Sequence, residues 1–426
     1  MTTRHPLAAG QCPAHAPVPP PDGPLPIFGA AFAADPQATY RRLRAQAPIA
    51  PVEIDTGVYG YLAVTYQAAL HLLRNNPARF RKDPANWAAL RAGQVPPSSP
   101  ALMMMGPRPN ALWADGAPHA RLRGAVTGAL ARVDTFALAR SVAAIGDRLI
   151  DAFVRQGEAD LVAQYAAQLP TLAVIDLFRS PSALGEQIVR TVTQVINAGP
   201  DAARANAELE AACLELTRLR RAEPGPDVIS HLIEAGLGDD EMVQQLVLLF
   251  GAAAPPTTNH IGSALRRILT DSRFAGSVHS GVRPVAGALD EVLWYDPPIS
   301  NYSPLYAQGV QQFGPDVFLQ PGYPILVSFA AANNDPALNL GLSPDARAGS
   351  RGHLAFSAGP HACPAPGIAR VIAETALERA LDRLSGLTLA VPAAELPTLP
   401  ATFLSGPASL PVRFHRDIPQ HTPNGR

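Results

Sequence analysis

The chain has 426 residues, 47% of them apolar and 16% charged, which is a globular composition long enough for a large core and too apolar for a disordered chain. With 34 basic and 35 acidic side chains the net charge is −1, which argues against a nucleic-acid binder and against a polybasic membrane-surface protein. Proline is abundant at 45 residues, and Lys82 is the only lysine in an otherwise arginine-based set.

In chain order, residues 1–27 are rich in Pro, Ala and His and read as an extended arm through Pro19-Pro20-Pro21-Asp22-Gly23. Ala38–Gln46 has helical spacing, with Tyr40 and Leu43 on one face. Val52–Ile54 and Val58–Val64 flank Asp55-Thr56-Gly57, the pattern of a hairpin with a tight turn. Tyr66–Asn75 is helical again. Residues 83–112 read as irregular, with Pro96-Pro97, Pro100 and the run Met103-Met104-Met105. From Ala117 to about Arg273 the pattern is mostly helical. Residues 299–362 carry little helical signal and include the strand-like Ile325–Phe329. A last helix is expected from Pro366 to Leu384, followed by short extended pieces and a polar tail over 415–426. No internal repeat or linker interrupts residues 28–414, so one large, mainly α unit with a small β part is expected.

The longest apolar run, near Leu246–Ala254, stops at Pro255-Pro256 and falls short of the roughly 18–20 residues that span a bilayer. The N-terminus has no secretory h-region, and Cys12, Cys213 and Cys363 are too few and scattered for a disulfide framework. A reducing, cytoplasmic setting follows as the expectation. Cys12-Pro-Ala-His15 supplies only two ligands and is too little for zinc.

The informative stretch is Phe356-Ser-Ala-Gly359-Pro-His361-Ala-Cys363-Pro-Ala-Pro-Gly-Ile368-Ala369-Arg370. Cys363 lies just before a helix whose apolar face is Ile368, Val371, Ile372 and Leu377. The partial positive charge of a helix N-terminus favours a thiolate there, and Gly359 permits a tight bend ahead of it. Such a cysteine suits a nucleophile or a metal ligand, although an isolated cysteine is more often a buried core thiol. The wider pattern decides between them. Phe-x-x-Gly-x-His-x-Cys followed by Ala-Arg resembles the haem-binding loop of the cytochrome P450 family, and a chance match is on the order of 10⁻⁵.

That resemblance implies the cytochrome P450 fold, a triangular helical prism in one large domain, with haem b as cofactor. It makes Cys363 the axial thiolate ligand of the iron, His361 a propionate contact and Phe356 a ring packed on the sulfur side of the porphyrin. His119-Ala-Arg121-Leu-Arg123 resembles the helix that pins the propionates, with His119 and Arg123 in contact. Taken alone, those residues would read as a solvated basic face. Residues 239–270 resemble the long helix that crosses the haem, and Met242, Val243, Leu246, Val247 and Phe250 share one side of it. Within it, Ala253-Ala-Pro-Pro256-Thr257-Thr258 stands where the family has Ala-Gly-x-acid-Thr-Thr, so Pro256, Thr257 and Thr258 are the candidate catalytic positions.

The sequence also departs from the family. Glu291-Val-Leu-Trp294 has tryptophan where Glu-x-x-Arg is usual, as in the actinobacterial subgroup that lacks this arginine. Glu291 must then be exposed, protonated or paired elsewhere, with Arg347 one option. Pro256 replaces the acid of the oxygen-activation motif. Pro255 and Pro256 also lack N–H groups, which removes the helical donors of the Gly251 and Ala252 carbonyls and leads to an expected kink. Leu305 stands where a further propionate-binding arginine is usual. Pro364 and Pro366 remove two of the three N–H donors that can face the ligating sulfur, so an electron-rich thiolate and a low haem potential are expected.

Two readings follow. The first is a haem-thiolate monooxygenase or oxidase that takes electrons from a ferredoxin and a ferredoxin reductase. It would use dioxygen to hydroxylate or oxidatively couple a small, apolar, secondary-metabolite-like substrate. Substrate would meet the 83–112 loop, Gly251–Pro256 and Ile299–Pro304, with Met103–Met105 as an adaptable lining or as ordinary loop packing. The second is a catalytically degenerate haem-binding partner or regulatory protein, which the lost acid and the lost arginine favour.

Overall fold

The computed structural model describes residues 23–196, 201–279, 284–338 and 350–416. Cys12, His15, Arg347 and the tail beyond residue 416 lie outside the described residues. The strands are β1 (Leu25–Pro26), β2 (Ile49–Asp55), β3 (Val58–Ala63), β4 (Phe80–Arg81), β5 (Glu158–Asp160), β6 (Asn301–Ala307), β7 (Gln311–Gln312), β8 (Phe318–Leu319), β9 (Pro324–Ser328), β10 (Thr388–Leu389) and β11 (Pro411–Arg413).

The expected hairpin forms between β2 and β3, where Gly57 adopts φ +73° at the turn. It joins a six-stranded sheet ordered β1-β2-β3-β9-β6-β4. Leu25 and Pro26 already pair in parallel with Val52 and Glu53, and Ile27 is fully buried, so ordered pairing starts ahead of the boundary expected at residue 28. The proline-rich composition hid this short edge, because a strand needs only a few backbone contacts with its neighbour. The irregular reading of 83–112 is also corrected, since short helices form at Ala88–Arg91 and Pro100–Met105. Ser99 caps the second, accepting the Ala101 N–H, and Pro100 fits the first helical position.

Most of the remaining chain is helical. Helices Thr135–Asp151, Gln168–Leu177, Asp239–Thr270, Val285–Tyr295 and Pro366–Arg383 share one core, in which Ile145, Leu169, Ile261, Leu265, Val292 and Leu377 are buried. The 32-residue helix Asp239–Thr270 runs about 48 Å at 1.5 Å per residue. Asp239, Asp240 and Glu241 sit in its first turn, where acid groups complement the helix dipole. The helix continues through Pro255 and Pro256 without a break, so the two prolines do not end it. No helix among the described residues is long and apolar enough to cross a membrane.

Candidate active site

Cys363 hangs from a tight loop between the 3₁₀ turn Gly359–His361 and the helix Pro366–Arg383. Its N–H donates to the Phe356 carbonyl at 2.8 Å and closes the loop. Ser357 and Gly359 both adopt left-handed backbone, at φ +61° and +70°. A Cβ at Gly359 would fall 2.2 Å from the Leu73 carbonyl oxygen, so glycine is required by close approach to the helix Tyr66–Arg74 as well as by the bend. The Ala365 N–H lies 3.4 Å from the Cys363 sulfur, and it is the one donor that Pro364 and Pro366 leave. Burial pushes the Cys363 thiol up, against the Ala365 N–H and the Arg123 charge, which pull it down. Cys213 is different in kind. It is fully buried in the helix Ala202–Ala222, and desolvation pushes its thiol to about 12.

Helix Gly116–Leu130 brings His119 and Arg123 to this loop. The His119 and His361 rings stack with centroids 3.9 Å apart and planes 30° from parallel. The Nε2 atoms of both rings are buried with no hydrogen-bond partner. Arg123 donates to the carbonyl of Ala362, the residue next to Cys363. Burial lowers the pKa of His119, aided by the Arg123 charge. Burial also pushes His361 down to about 2, with Lys82, His119 and Arg123 adding to the effect. Buried imidazole nitrogens without partners, next to an arginine, can donate to an anion in the tautomer that carries Nε2–H. The residues present thus fit a cofactor that has anionic carboxylates at one edge and a metal facing a thiol.

Asp115, which sequence reasoning passed over, precedes this helix but leaves its end uncapped. Its carboxylate instead accepts the N–H groups of Lys82 and Asp83 at 2.8 and 3.3 Å and the Asn76 amide at 2.8 Å. The pattern Asp-Gly-x-Pro ahead of a helix was the available signal for it. Phe356 packs 5.8 Å from the His353 ring, with the Arg370 guanidinium 5.5 Å above it. Leu305 is fully buried in β6 and joins a hydrophobic cluster.

On the long helix, the Thr257 hydroxyl donates to the Ala253 carbonyl at 2.7 Å, whereas Thr258 and Pro256 are half-exposed. Gly251 and Ala252, whose carbonyls face the two prolines one turn on, are exposed. Met105 is core, while Met103 lines a cleft of about 390 Å³ with Leu102, Arg108, Asn206, Glu210 and Gln244. A second cleft of about 380 Å³ is lined by Arg81, Asp83, Trp113, Asp115 and Gln308. Neither is lined by Cys363. Tyr302, from the segment expected to meet substrate, donates to the Met104 carbonyl at 2.7 Å and so ties β6 to the helix Pro100–Met105.

Glu291 is fully buried and paired with Arg267 at 2.7 Å, with Arg273 at 3.5 Å. Of the three fates open to it, pairing elsewhere is the one found, and Arg267 on the long helix supplies the charge. The Trp294 indole donates to the Ser350 carbonyl at 2.9 Å and meets the His353 ring edge-on at 5.8 Å.

The chain matches no protein-family model. It is 29% identical over 395 residues to a 2-hydroxy-5-methyl-1-naphthoate 7-hydroxylase of Streptomyces carzinostaticus, covering 89% of this chain and 95% of that one. It is 30% identical over 328 residues to the biflaviolin synthase CYP158A1 of Streptomyces coelicolor, covering 72% of this chain and 78% of the relative. Among solved structures, CYP154C4 from Streptomyces sp. W2061 superposes with a TM-score of 0.82 at 27% identity, covering 91% of this chain and 97% of that one. CYP154A1 from Streptomyces coelicolor gives a TM-score of 0.80 at 29% identity, covering 92% and 100%. The fold is that of bacterial cytochromes P450, as the sequence implied. Relatives that share most of this length include cytochrome P450 monooxygenases, and the chain belongs to the cytochrome P450 family as an enzyme of that class.

Proposed function

We propose that the protein binds haem b through the Cys363 thiolate and oxidises a small, largely apolar, secondary-metabolite-like substrate by hydroxylation or oxidative coupling. The stacked His119 and His361 carry this reading, because their buried Nε2 atoms lack partners while Arg123 is held beside Cys363 on the Ala362 carbonyl. Those three side chains would hold the propionates, and Phe356 would pack against the porphyrin on the sulfur side. Bound there, haem supplies the redox iron at which dioxygen is activated. A ferredoxin and a ferredoxin reductase would supply electrons, in a cytoplasmic setting. A naphthoate hydroxylase and a biflaviolin synthase among the relatives favour a fused-ring aromatic substrate class.

The protein's own residues shape the rest. Thr257 and Thr258 offer hydroxyls where protons must be delivered, and no carboxylate stands beside them at position 256. The Gly251 and Ala252 carbonyls, freed of helical donors, would accept a hydroxyl or a water and give an apolar lining two fixed acceptors. The Thr257 hydroxyl is held on the Ala253 carbonyl and thereby kept at a set orientation. The single Ala365 donor leaves the sulfur lightly hydrogen-bonded. Pro364→Ala adds a second N–H and is expected to raise the haem potential by on the order of tens of millivolts. A potentiometric titration checks this, and an unchanged potential would count against the donor argument.

The deciding experiment has two parts. The ferrous carbon-monoxide spectrum of the purified protein should show thiolate ligation. Turnover with a surrogate ferredoxin and reductase, across a panel of hydroxylated aromatics, should then couple electron consumption to oxygenated or dimerised product. The proline at position 256 favours the other reading, a haem protein without catalysis. Thiolate-ligated haem that consumes electrons only at the leak rate over the whole panel would establish it.

A further inference from the structure

Lys82 follows β4, whose Phe80 and Arg81 pair with Ala307 and Tyr306 of β6. It is the chain's only lysine and is 1% exposed. Its Nζ donates to Ser303 Oγ at 2.7 Å. That is one neutral acceptor for a group with three N–H donors, deep in the protein. Burial accordingly pushes the amine down to about 7, with Asp115 pulling the other way.

The surrounding backbone is arranged around this side chain. Register is broken between Tyr302 and Leu305 of β6, and Ser303 adopts φ +56°, a conformation that a side-chain-bearing residue keeps only when its surroundings hold it. This irregularity is where the Ser303 hydroxyl meets the ammonium. On the other side, the Lys82 N–H is fixed by the Asp115 carboxylate at the start of the helix that carries His119 and Arg123. The Lys82 charge reaches both His119 and His361. The charges of Lys82 and Arg123 thus both act on the stacked His119 and His361 rings, and Asp115 is the carboxylate that acts on Lys82 and His119. A buried set this rich in donors is completed by a dianion.

We propose that Lys82 is a haem-propionate ligand in this protein. It reaches from β4 to the place on β6 where Leu305 offers no donor, with Ser303 holding its ammonium in position. The assignment rests on the haem reading above.

The test compares wild type, Lys82→Met and Lys82→Arg as holoproteins, each loaded with protoporphyrin IX haem or with its dimethyl ester. Haem loss to excess apomyoglobin is followed. With native haem, Lys82→Met should lose it about tenfold faster, the factor that about 1.4 kcal/mol of binding gives. Lys82→Arg should restore most of the retention. With the ester, wild type and Lys82→Met should lose haem alike. Equal loss with native haem, or the same difference with both porphyrins, overturns the proposal, the latter by showing a merely structural lysine. A measurement without any variant guards against misfolding. The sole lysine, labelled with ¹⁵N at Nζ, gives one side-chain resonance, and it should titrate at a higher pH with native haem than with the ester. Identical midpoints overturn the proposal. A wild-type protein lacking the thiolate carbon-monoxide spectrum would instead remove the haem reading itself.

Discussion

Cys363→Ala is expected to abolish the thiolate spectrum and all turnover while leaving the fold intact. Alanine supplies no ligand, so the four basic side chains at the propionate edge would be left to hold the porphyrin alone. The fold survives because Cys363 belongs to none of the hydrophobic core clusters, and the loop is closed by the backbone bond to Phe356. Its unfolding free energy without haem should stay within about 1 kcal/mol of wild type. Cys213→Ala is the matched control. That thiol is buried in a helix and held protonated, so it is inert, and its loss should leave the absorbance spectrum unchanged. Absorption spectra and haem content of both variants decide the matter. An unaltered spectrum in Cys363→Ala removes the sulfur from the site.

How much of this was legible from the sequence depended on distance along the chain. The loop from Phe356 to Cys363 is contiguous, so its glycine, histidine and cysteine could be read together, and the helix behind it starts at Pro366 as its pattern requires. His119 and Arg123 lie four apart on one helix and were read as a pair for the same reason. Lys82 and Ser303 are separated by 221 positions, and nothing local to either points to the other. Only the rarity of lysine marked position 82 as unusual. The partner of Glu291 was out of reach on similar grounds. Arg267 is 24 residues away on a different helix, and several arginines were equally available until the helices were packed. The double proline does not end the long helix. A buried helix of 32 residues is held by tertiary contacts along its whole length, and these outweigh two lost backbone bonds.

Two buried ion pairs start from consecutive carboxylates on the helix that carries Glu291-Val-Leu-Trp294. Asp290 and Glu291 both lie on the helix Val285–Tyr295, and both are buried. Asp290 receives Arg370 from the helix behind the cysteine loop. Glu291 receives Arg267 from the long helix, whose guanidinium also lies 5.1 Å from both the Phe274 and the Tyr295 rings. One short helix is thus tied to the two elements that carry the cysteine loop and Thr257. Removing one member of a buried pair strands the other charge, which costs about 3–5 kcal/mol. Arg267→Met keeps the apolar stem against Phe274 and Tyr295 but withdraws the charge. Arg273, at 3.5 Å and more exposed, offsets part of the loss. The expected destabilisation is about 3 kcal/mol, read as a lower denaturant midpoint of the holoprotein. Arg267→Met with Glu291→Leu should recover most of it, because no charge is then left buried. If the single variant costs under about 1 kcal/mol, Arg273 suffices and the Glu291–Arg267 pair is not what holds this helix.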